Sequence, residues 1–455
     1  MVWRRVRRVV QRRERVVPVV TPGRLRAWRR AAPDDWAAAL HLRYVRERDR
    51  VQPAYFARSG GYRMPRRGIA RAWRWYVSDV AVQAVRLWWR NGPAVRRATG
   101  AGLGRQLWEL LWLSVTVPAM PEKYYMFEWY RPERRALAGR YLHRHETKGA
   151  LYTLLTPSDA ETVAPLTDKV SFARHAARAG LPVVPTLAVI GPGGSVETYG
   201  ELPAADLFVK PATGKGGRQA RRWVYADGRY HPLGGPAGAG VRGTAGAGAG
   251  GPAGAGTGVA PDDLLARLAA DAAGTALLVQ PCLTNHPDLA DLALDAVPTC
   301  RVVTILDESG APEPVIAIFR MPARPGAVVD NMHRGGIAAP LDVSSGVLGP
   351  ASGYATAGPP TRHTRHPVSG AAIADRKLPA WEAVRELVVA AHRAFLPRVL
   401  VGWDVAIGEG GPVLVEGNEQ PGVDGLQRLH DLPLGDHRFG QLLALHLSRP
   451  APGTR

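Results

Sequence analysis

Cysteine is almost missing: Cys282 and Cys300 are the only two in 455 residues. They are not arranged as a nucleophile or a zinc site, so a disulfide scaffold is excluded and two buried free thiols in a reducing cytoplasm are expected. The P-loop spacing Gly-x4-Gly-Lys-Ser/Thr is absent, as is a dinucleotide fingerprint opening a helix after a strand. No Gly-x-Ser-x-Gly elbow occurs either, which removes serine-hydrolase chemistry of that type. Long apolar runs are lacking too. The N-terminus has arginines but no uninterrupted apolar core of a secretory signal. The apolar run from Leu107 to Val117 falls short of the roughly 20 residues a spanning helix needs. Lysine is the last scarcity. Only six of 59 basic residues are Lys, at 123, 148, 169, 210, 215 and 377, against a background rich in Ala, Gly, Pro and Arg.

The chain has length for two or three domains, and 46% hydrophobic residues with 13 Trp argue for a folded core. Charge is unevenly spread. Residues 1–150 carry 33 Lys plus Arg against 11 acidic residues and hold ten of the Trp, whereas residues 151–455 are nearly neutral. In the front third, arginines from Arg4 to Arg15 alternate with Val as an amphipathic element or a disordered arm. Ala70 to Arg90, with Trp73, Trp75, Trp88 and Trp89 among Arg71, Arg74, Arg86 and Arg90, reads as a helix, and Leu107 to Val117 as a second. Three readings stay open here: a helix lying on an anionic membrane surface, a helical domain packing its own Trp, or nucleic-acid binding, for which no recognised motif exists. Residues 233–261 are almost wholly Gly, Ala, Pro and Thr and read as a flexible insertion, inert or covering a site. His363 and His366 have the spacing of helical metal ligands but lie in a Pro-bounded loop, where a solvated turn is expected.

The chemistry concentrates in two places. Gly402-Trp403-Asp404-Val405-Ala406-Ile407 and Val413-Leu414-Val415-Glu416-Gly417-Asn418 read as strands of a hairpin. Alternation puts Glu416 and Asn418 on one face, and pairing can bring Asp404 beside them, a set of hard oxygen donors of the kind Mg²⁺ takes. The bland alternative is a solvated hairpin tip. Upstream, Lys210 ends the strand Leu207-Phe208-Val209 and opens a turn holding Gly214, Lys215, Gly216 and Gly217. Such a turn lets backbone N–H groups approach anionic oxygen while Lys supplies a mobile charge.

In this order, with Leu166-Thr167-Asp168-Lys169, Leu278-Val279-Gln280-Pro281, Pro298-Thr299-Cys300-Arg301 and Asn331-Met332-His333-Arg334-Gly335-Gly336, these pieces resemble an ATP-grasp protein. The nearest resemblance is to the sugar-transfer-associated, α-L-glutamate-ligase-like group, and it runs over roughly residues 120 to 432. It implies an α/β (α+β) fold in which two subdomains grip ATP behind a basic, Trp-rich helical region. The implied divisions are 1–120 for that region, 121–205 for an α/β unit, 206–283 for the lid with its insertion, 284–440 for the metal- and substrate-binding subdomain, and 441–455 for a tail.

By resemblance, Lys169, Lys210 and Lys215 contact the nucleotide while Gly214, Gly216 and Gly217 cover its phosphates. Gln280, Pro281, Cys282 and Leu283 form the adenine hinge, and His286 or Asp288 stands in for the ribose-binding acid. Arg301 steadies transferred phosphate, Asn331 lies near the acceptor, and Asp404, Glu416 and Asn418 hold Mg²⁺. The implied activity is a cytoplasmic Mg-ATP-dependent ligase joining a carboxylate to an amine through an acyl-phosphate, possible acceptors including a glycan precursor at the membrane. A kinase phosphorylating a hydroxyl and a non-catalytic ATP-binding regulatory module remain as alternatives.

Overall fold

The computed structural model describes residues 22–58, 80–117, 119–157, 165–214, 219–233, 258–272, 274–354 and 358–448. The Arg4–Arg15 segment, Trp73 and Trp75, Lys215, Gly216, Gly217, most of the Gly/Ala insertion and the last seven residues lie outside that description.

Two antiparallel sheets organise the chain. The first has order β2-β1-β6-β3-β4-β5, built from β1 (Ala188–Ile190), β2 (Val196–Thr198), β3 (Leu207–Pro211), β4 (Arg221–Ala226), β5 (Arg229–Leu233) and β6 (Leu277–Pro281). The second has order β11-β10-β7-β8-β9, from β7 (Thr299–Leu306), β8 (Pro312–Met321), β9 (Ile337–Leu341), β10 (Leu400–Gly408) and β11 (Gly411–Asn418). The first sheet thus starts with β1 and β2, ahead of residue 206 where the lid was expected to begin.

Each sheet sorts its side chains onto two faces by the period-2 rule. In the first, Leu207, Val209, Trp223 and Val279 pack under Leu264 and Leu268 of the helix Pro261–Asp271. That leaves Phe208 and Lys210, the alternate residues of β3, on the opposite face. The second sheet is covered on both sides. One face presents Cys300, Val302, Phe319, Trp403 and Val405 to Val384, Leu387 and Val388 of the helix Trp381–Ala394. The other presents Val303, Ile305, Ile316 and Ile318 to the helices Val423–His430 and Arg438–Ser448 and to Leu40 and Tyr44 of the helix Trp36–Arg58. The basic front third therefore supplies part of the second sheet's core. Leu442, Leu443 and Leu447 are buried there too, so residues 441–448, expected as tail, are helical and packed.

The remaining front elements form their own aromatic cluster. Two helices, α1 (Val82–Thr99) and α2 (Leu103–Thr116), form a hairpin turned by Gly100, whose φ of 76° suits glycine. Their inner residues Ala84, Val95, Leu110 and Leu113 pack on Tyr124, Tyr125, Phe127 and Trp129. Both helices read from sequence are present over the residues described.

Two chain segments cross between the sheets. Leu414 N–H of β11 donates to Pro182 at 2.9 Å, and Leu187 N–H then reaches Val279 of β6. On the return path, Cys282 N–H donates to Asp206 in the first sheet and His286 N–H to Ile407 in the second. The buried Gln280 amide fastens the two crossings by donating to the Val184 carbonyl at 3.1 Å.

Candidate functional site

The register of β7, β10 and β11 places three predicted residues in one row. Asp404 lies opposite Arg301 on one side and opposite Glu416 on the other. Asn418 follows two residues after Glu416 and pairs with Gly402, so all four share the face. Directly opposed residues in such a ladder have Cβ atoms about 5 Å apart, which makes Asp404 and Glu416 a close like-charge pair.

Arg301 forks onto Asp404, its Nη2 donating to Oδ2 at 2.7 Å and its Nε to Oδ1. A second guanidinium meets the same carboxylate: Arg320 Nη2 lies 2.9 Å from Asp404 Oδ2. Burial alone would raise the Asp404 carboxyl, but Arg301 and Arg320 outweigh it and hold the group well below the usual carboxylate range. Arg320 also reaches Asp330 at 3.5 Å, and Asp330 accepts from the Thr299 hydroxyl. Arg320 and Asp330 were missed in the sequence. The β7–β8 register supplies what the sequence does not, because Ile318 opposes Arg301 and Arg320 lies two residues further on the same face.

Glu416 is different. Burial first, and then the Asp404 charge, push its carboxyl up, partly countered by Lys169, Arg301 and Lys210. It makes no hydrogen bond among the described residues. Asn418 Oδ1 accepts one backbone N–H, from Gln420 at 3.0 Å.

The lid supplies the opposing charge. Lys210 is buried at the end of β3, on the face turned away from the helix that covers the sheet. Burial is the main cause that pushes its ammonium down to about 8, with Lys169 adding to the effect and Glu416 and Asp404 opposing it. Lys169 opens the helix Lys169–Arg178, capped by Asp168, whose carboxylate accepts from Ser171 N–H at 2.8 Å. Its ammonium donates to the Gly214 carbonyl at 2.9 Å, tying helix to turn. Gly214 has φ 123° and open space around its Cβ direction, as a turn that approaches a ligand by its backbone requires.

That helix sits close against β11 because Gly417 has no side chain. A Cβ there would stand 2.4 Å from Leu166 Cδ2, 3.2 Å from Trp403 and 3.3 Å from Phe172. Trp403 itself is anchored on the far face, its indole N–H donating to Thr304 Oγ1 at 2.8 Å. Asp404 thus projects from a strand whose neighbouring residue is fixed in the core.

Other expected positions vary in how they stand. Gln280 uses its side chain for the crossing described above, and Pro281 closes β6 opposite Leu207. Burial raises Cys282 to about 11 and Cys300 beyond that, in keeping with inert thiols. Leu283 leads to His286, which is half-buried, with Nδ1 accepting from Asp288 N–H at 3.2 Å, while the Asp288 carboxylate is exposed. Asn331 caps a short turn by accepting from His333 N–H at 2.9 Å. Gly336 follows, where a Cβ would meet the Asp330 carbonyl at 2.3 Å. This turn is therefore joined through Asp330 and Arg320 to Asp404. His363 and His366 lie outside any helix, as expected, but the solvated turn is corrected at His366, which is buried with Nε2 on the Pro322 carbonyl at 2.7 Å.

The donor set suits Mg²⁺ in its chemistry. Glu416 and the remaining lone pair of Asn418 Oδ1 are open, and a divalent charge relieves the Asp404–Glu416 repulsion. Asp404 is the least free of the three because two guanidiniums hold it. Among the described residues no group of three or more His, Cys, Asp or Glu forms a metal cluster, so Asn418 has to complete any such site.

Residues 265–431 match the family described as sugar-transfer associated ATP-grasp. Over those residues the fold is ATP-grasp. The ATP-grasp match takes in β6 to the helix Val423–His430, hence Arg301, Arg320, Asp404, Glu416 and Asn418, and leaves Lys169 and Lys210 before it. No curated protein matches the chain. Among solved structures it is similar to the ATP-grasp ligase PsnB complexed with minimal precursor, Mg and ADP, at 13% identity and TM-score 0.32, over 64% of this chain and 61% of that one. It is also similar to D-alanyl-alanine synthetase A from Vibrio cholerae O1 biovar eltor, at 12% and 0.35 over 63% and 66%. A third is an L-amino acid ligase from Bacillus licheniformis, at 11% and 0.35 over 63% and 48%. The chain spans less than two thirds of each of these proteins.

Proposed function

We propose that this chain is a Mg-ATP-dependent ligase that activates a carboxylate as an acyl-phosphate and passes the acyl group to an amine. The observation that carries the reading is the meeting of two charge sets from different sheets. Lys210 of the first sheet and Lys169 of the helix packed on β11 face the Asp404–Glu416 row, with Arg301 and Arg320 beside it. A polyanionic nucleotide between them satisfies the lysines, and its cation satisfies the carboxylates.

In this reading Lys169, Lys210 and the Gly214 turn bind the phosphates, and the strand-end hinge Gln280 to Leu283 takes the adenine. Asp404, Glu416 and Asn418 hold Mg²⁺, which when bound neutralises phosphate charge. A substrate carboxylate oxygen attacks the γ-phosphorus as the bond to the bridging oxygen breaks, giving acyl-phosphate and ADP. The amine nitrogen then attacks the acyl carbon, phosphate departs with the C–O electron pair, and the amine proton passes to water. Arg301 and Arg320 supply fixed positive charge where the transferred phosphoryl group develops its own, a preorganised arrangement that needs no covalent nucleophile. We assign the amine or its carboxylate partner to a sugar or surface-glycan precursor presented at a membrane. The chain then works in the cytoplasm, peripheral to the inner face.

The test is turnover of Mg-ATP by purified protein with pooled amino acids, beside Asp404→Ala and Glu416→Ala variants. ADP and free phosphate formed only by the intact protein, and raised by particular amino acids, support the ligase. ADP released with phosphate retained on an added sugar assigns a kinase instead. Absence of any ATP binding removes the proposal.

A further inference from the structure

Seven of the twelve exposed large hydrophobic side chains among the described residues lie between Val82 and Leu137. They are ordered. On α1, Val82, Val85 and Trp89 recur at i, i+3 and i+7, and on α2, Trp108, Trp112 and Val115 recur at i, i+4 and i+7, so each set lines one helix face. Trp89 is 77% exposed, Trp108 64% and Trp112 53%. The inner faces of the same helices are already buried against the aromatic cluster, so these outer stripes are additional apolar surface.

Their surroundings are basic. From Val82 to Val117 the sequence has Arg86, Arg90, Arg96, Arg97 and Arg105 but one acid, Glu109. That acid is buried and neutralised by Arg105 at 2.8 Å and Arg135 at 2.7 Å. Arg86 and Arg90 flank Trp89 at the surface. A groove of about 460 Å³ lies beside Trp108 and Trp112, walled also by Leu113, Pro132 and Ala136 and by the paired Glu109 and Arg135. Among the described residues no helix is long and apolar enough to cross a membrane.

We propose that the α1–α2 hairpin docks this chain flat on an anionic lipid bilayer, with Trp89, Trp108 and Trp112 in the interface and Arg86, Arg90 and Arg97 on lipid phosphates. Trp is the side chain suited to that depth, since its ring is apolar and its N–H remains wet. Valines at the same spacing serve acyl chains and offer nothing to a base or a nucleic-acid phosphate. Charge complementarity selects anionic headgroups, because the stripe carries guanidiniums with no free acid. This face is separate from the nucleotide site, so the proposal stands or falls independently of the ligase reading.

The test is co-sedimentation of the full chain with vesicles of phosphatidylcholine alone and of equal parts phosphatidylcholine and phosphatidylglycerol. Two variants run beside it, a triple Trp89→Ala, Trp108→Ala, Trp112→Ala and a double Arg86→Glu, Arg90→Glu. All five side chains are exposed, so melting midpoints close to the parent's are expected and serve as the check on folding. The parent should pellet with the anionic vesicles and release as salt rises. Each variant should partition about tenfold less, and quenching by bromine-labelled lipid should reach the parent's Trp emission but not the triple variant's. Absence of vesicle binding by the parent overturns the proposal. So does triple-variant binding equal to the parent's, which places adsorption on other basic segments. A parent that self-associates in a manner the triple substitution abolishes, without binding vesicles, makes the stripe a contact between copies and likewise overturns it.

Discussion

Lys210 carries an energetic conflict that only a ligand resolves. Its ammonium is buried, near Lys169, and pushed down to about 8 from its ordinary value. Depression of a cationic group means the unliganded fold disfavours its charged form, so at neutral pH Lys210 works against stability. Replacement by Met keeps the apolar stem and removes the charge. Lys210→Met should therefore raise the melting midpoint of the unliganded protein or leave it unchanged, while weakening ATP binding at least about tenfold. The parent's affinity should also fall as pH rises through about 8, where the ammonium is lost, and the variant's should not. Calorimetric titration at pH 7 and 9, beside a melting curve, reads both. A destabilised variant with undiminished ATP affinity makes Lys210 a structural residue and sinks this account. Asp404 shows the opposite arrangement, a buried charge already compensated by Arg301 and Arg320. Its removal leaves two guanidiniums facing each other, so loss of stability there says little about metal binding, and Glu416→Gln is the cleaner functional probe.

At the level of elements, the shared face of Glu416 and Asn418 was readable in advance from their two-residue spacing, with Asp404 paired opposite Glu416. The register shift between Asp404 and Val405 was not readable, and it is this irregularity that pairs Leu414 with Val405 in the core although Leu414 is also two residues from Glu416. Arg320 was not readable, since nothing in Ile318-Phe319-Arg320-Met321 tells which neighbour the strand takes, and only the β7–β8 register aims it at Asp404. The same holds for the helix Arg438–Ser448. Its leucines suit a helix, but burial depends on a partner surface made by β7, β8 and the front helix. Gly417 was quoted as part of a motif, yet its physical work is to admit Leu166 and Phe172 against β11. Gly417→Ala adds a methyl at 2.4 Å from Leu166, which has to shift. Overpacking of this kind costs about 1–3 kcal/mol, to be seen as a lower urea midpoint at unchanged slope. Because the same contact sets the helix that begins at Lys169, ATP affinity should fall with it. Loss of stability with full affinity would uncouple that helix from the phosphate site.

Across the whole molecule, acid sensitivity is written into histidines held neutral in different parts of the core. His392 is pushed down to about 4 by burial, partly opposed by the Arg398 carbonyl 2.7 Å from its Nε2, while its Nδ1 lies 2.6 Å from the Thr304 hydroxyl. His145 stands at about 4 and His143 is also lowered well below the ordinary range, both by burial first. The unfolded chain binds these protons near pH 6.5 and the folded chain does not, so between those values the unfolded state holds more protons and stability falls as pH falls. His392 and His145 each remove about 2 kcal/mol between pH 7 and pH 5 by that linkage, and His143 acts in the same direction. The carboxyls of Glu416, Asp330 and Glu122 are raised, by desolvation first, which has the opposite sign and offsets part of the loss. His392→Gln separates the two contributions. It should lower the urea midpoint at pH 7, where a satisfied ring is lost, yet show a smaller drop from pH 7 to pH 5 than the parent. Equal drops in parent and variant would mean that His392 takes no part in the acid response. In that case the sensitivity belongs to the other lowered histidines, His143 and His145 beneath the front third, where Trp129 packs on His143, and His430 and His437 near the C-terminal helices.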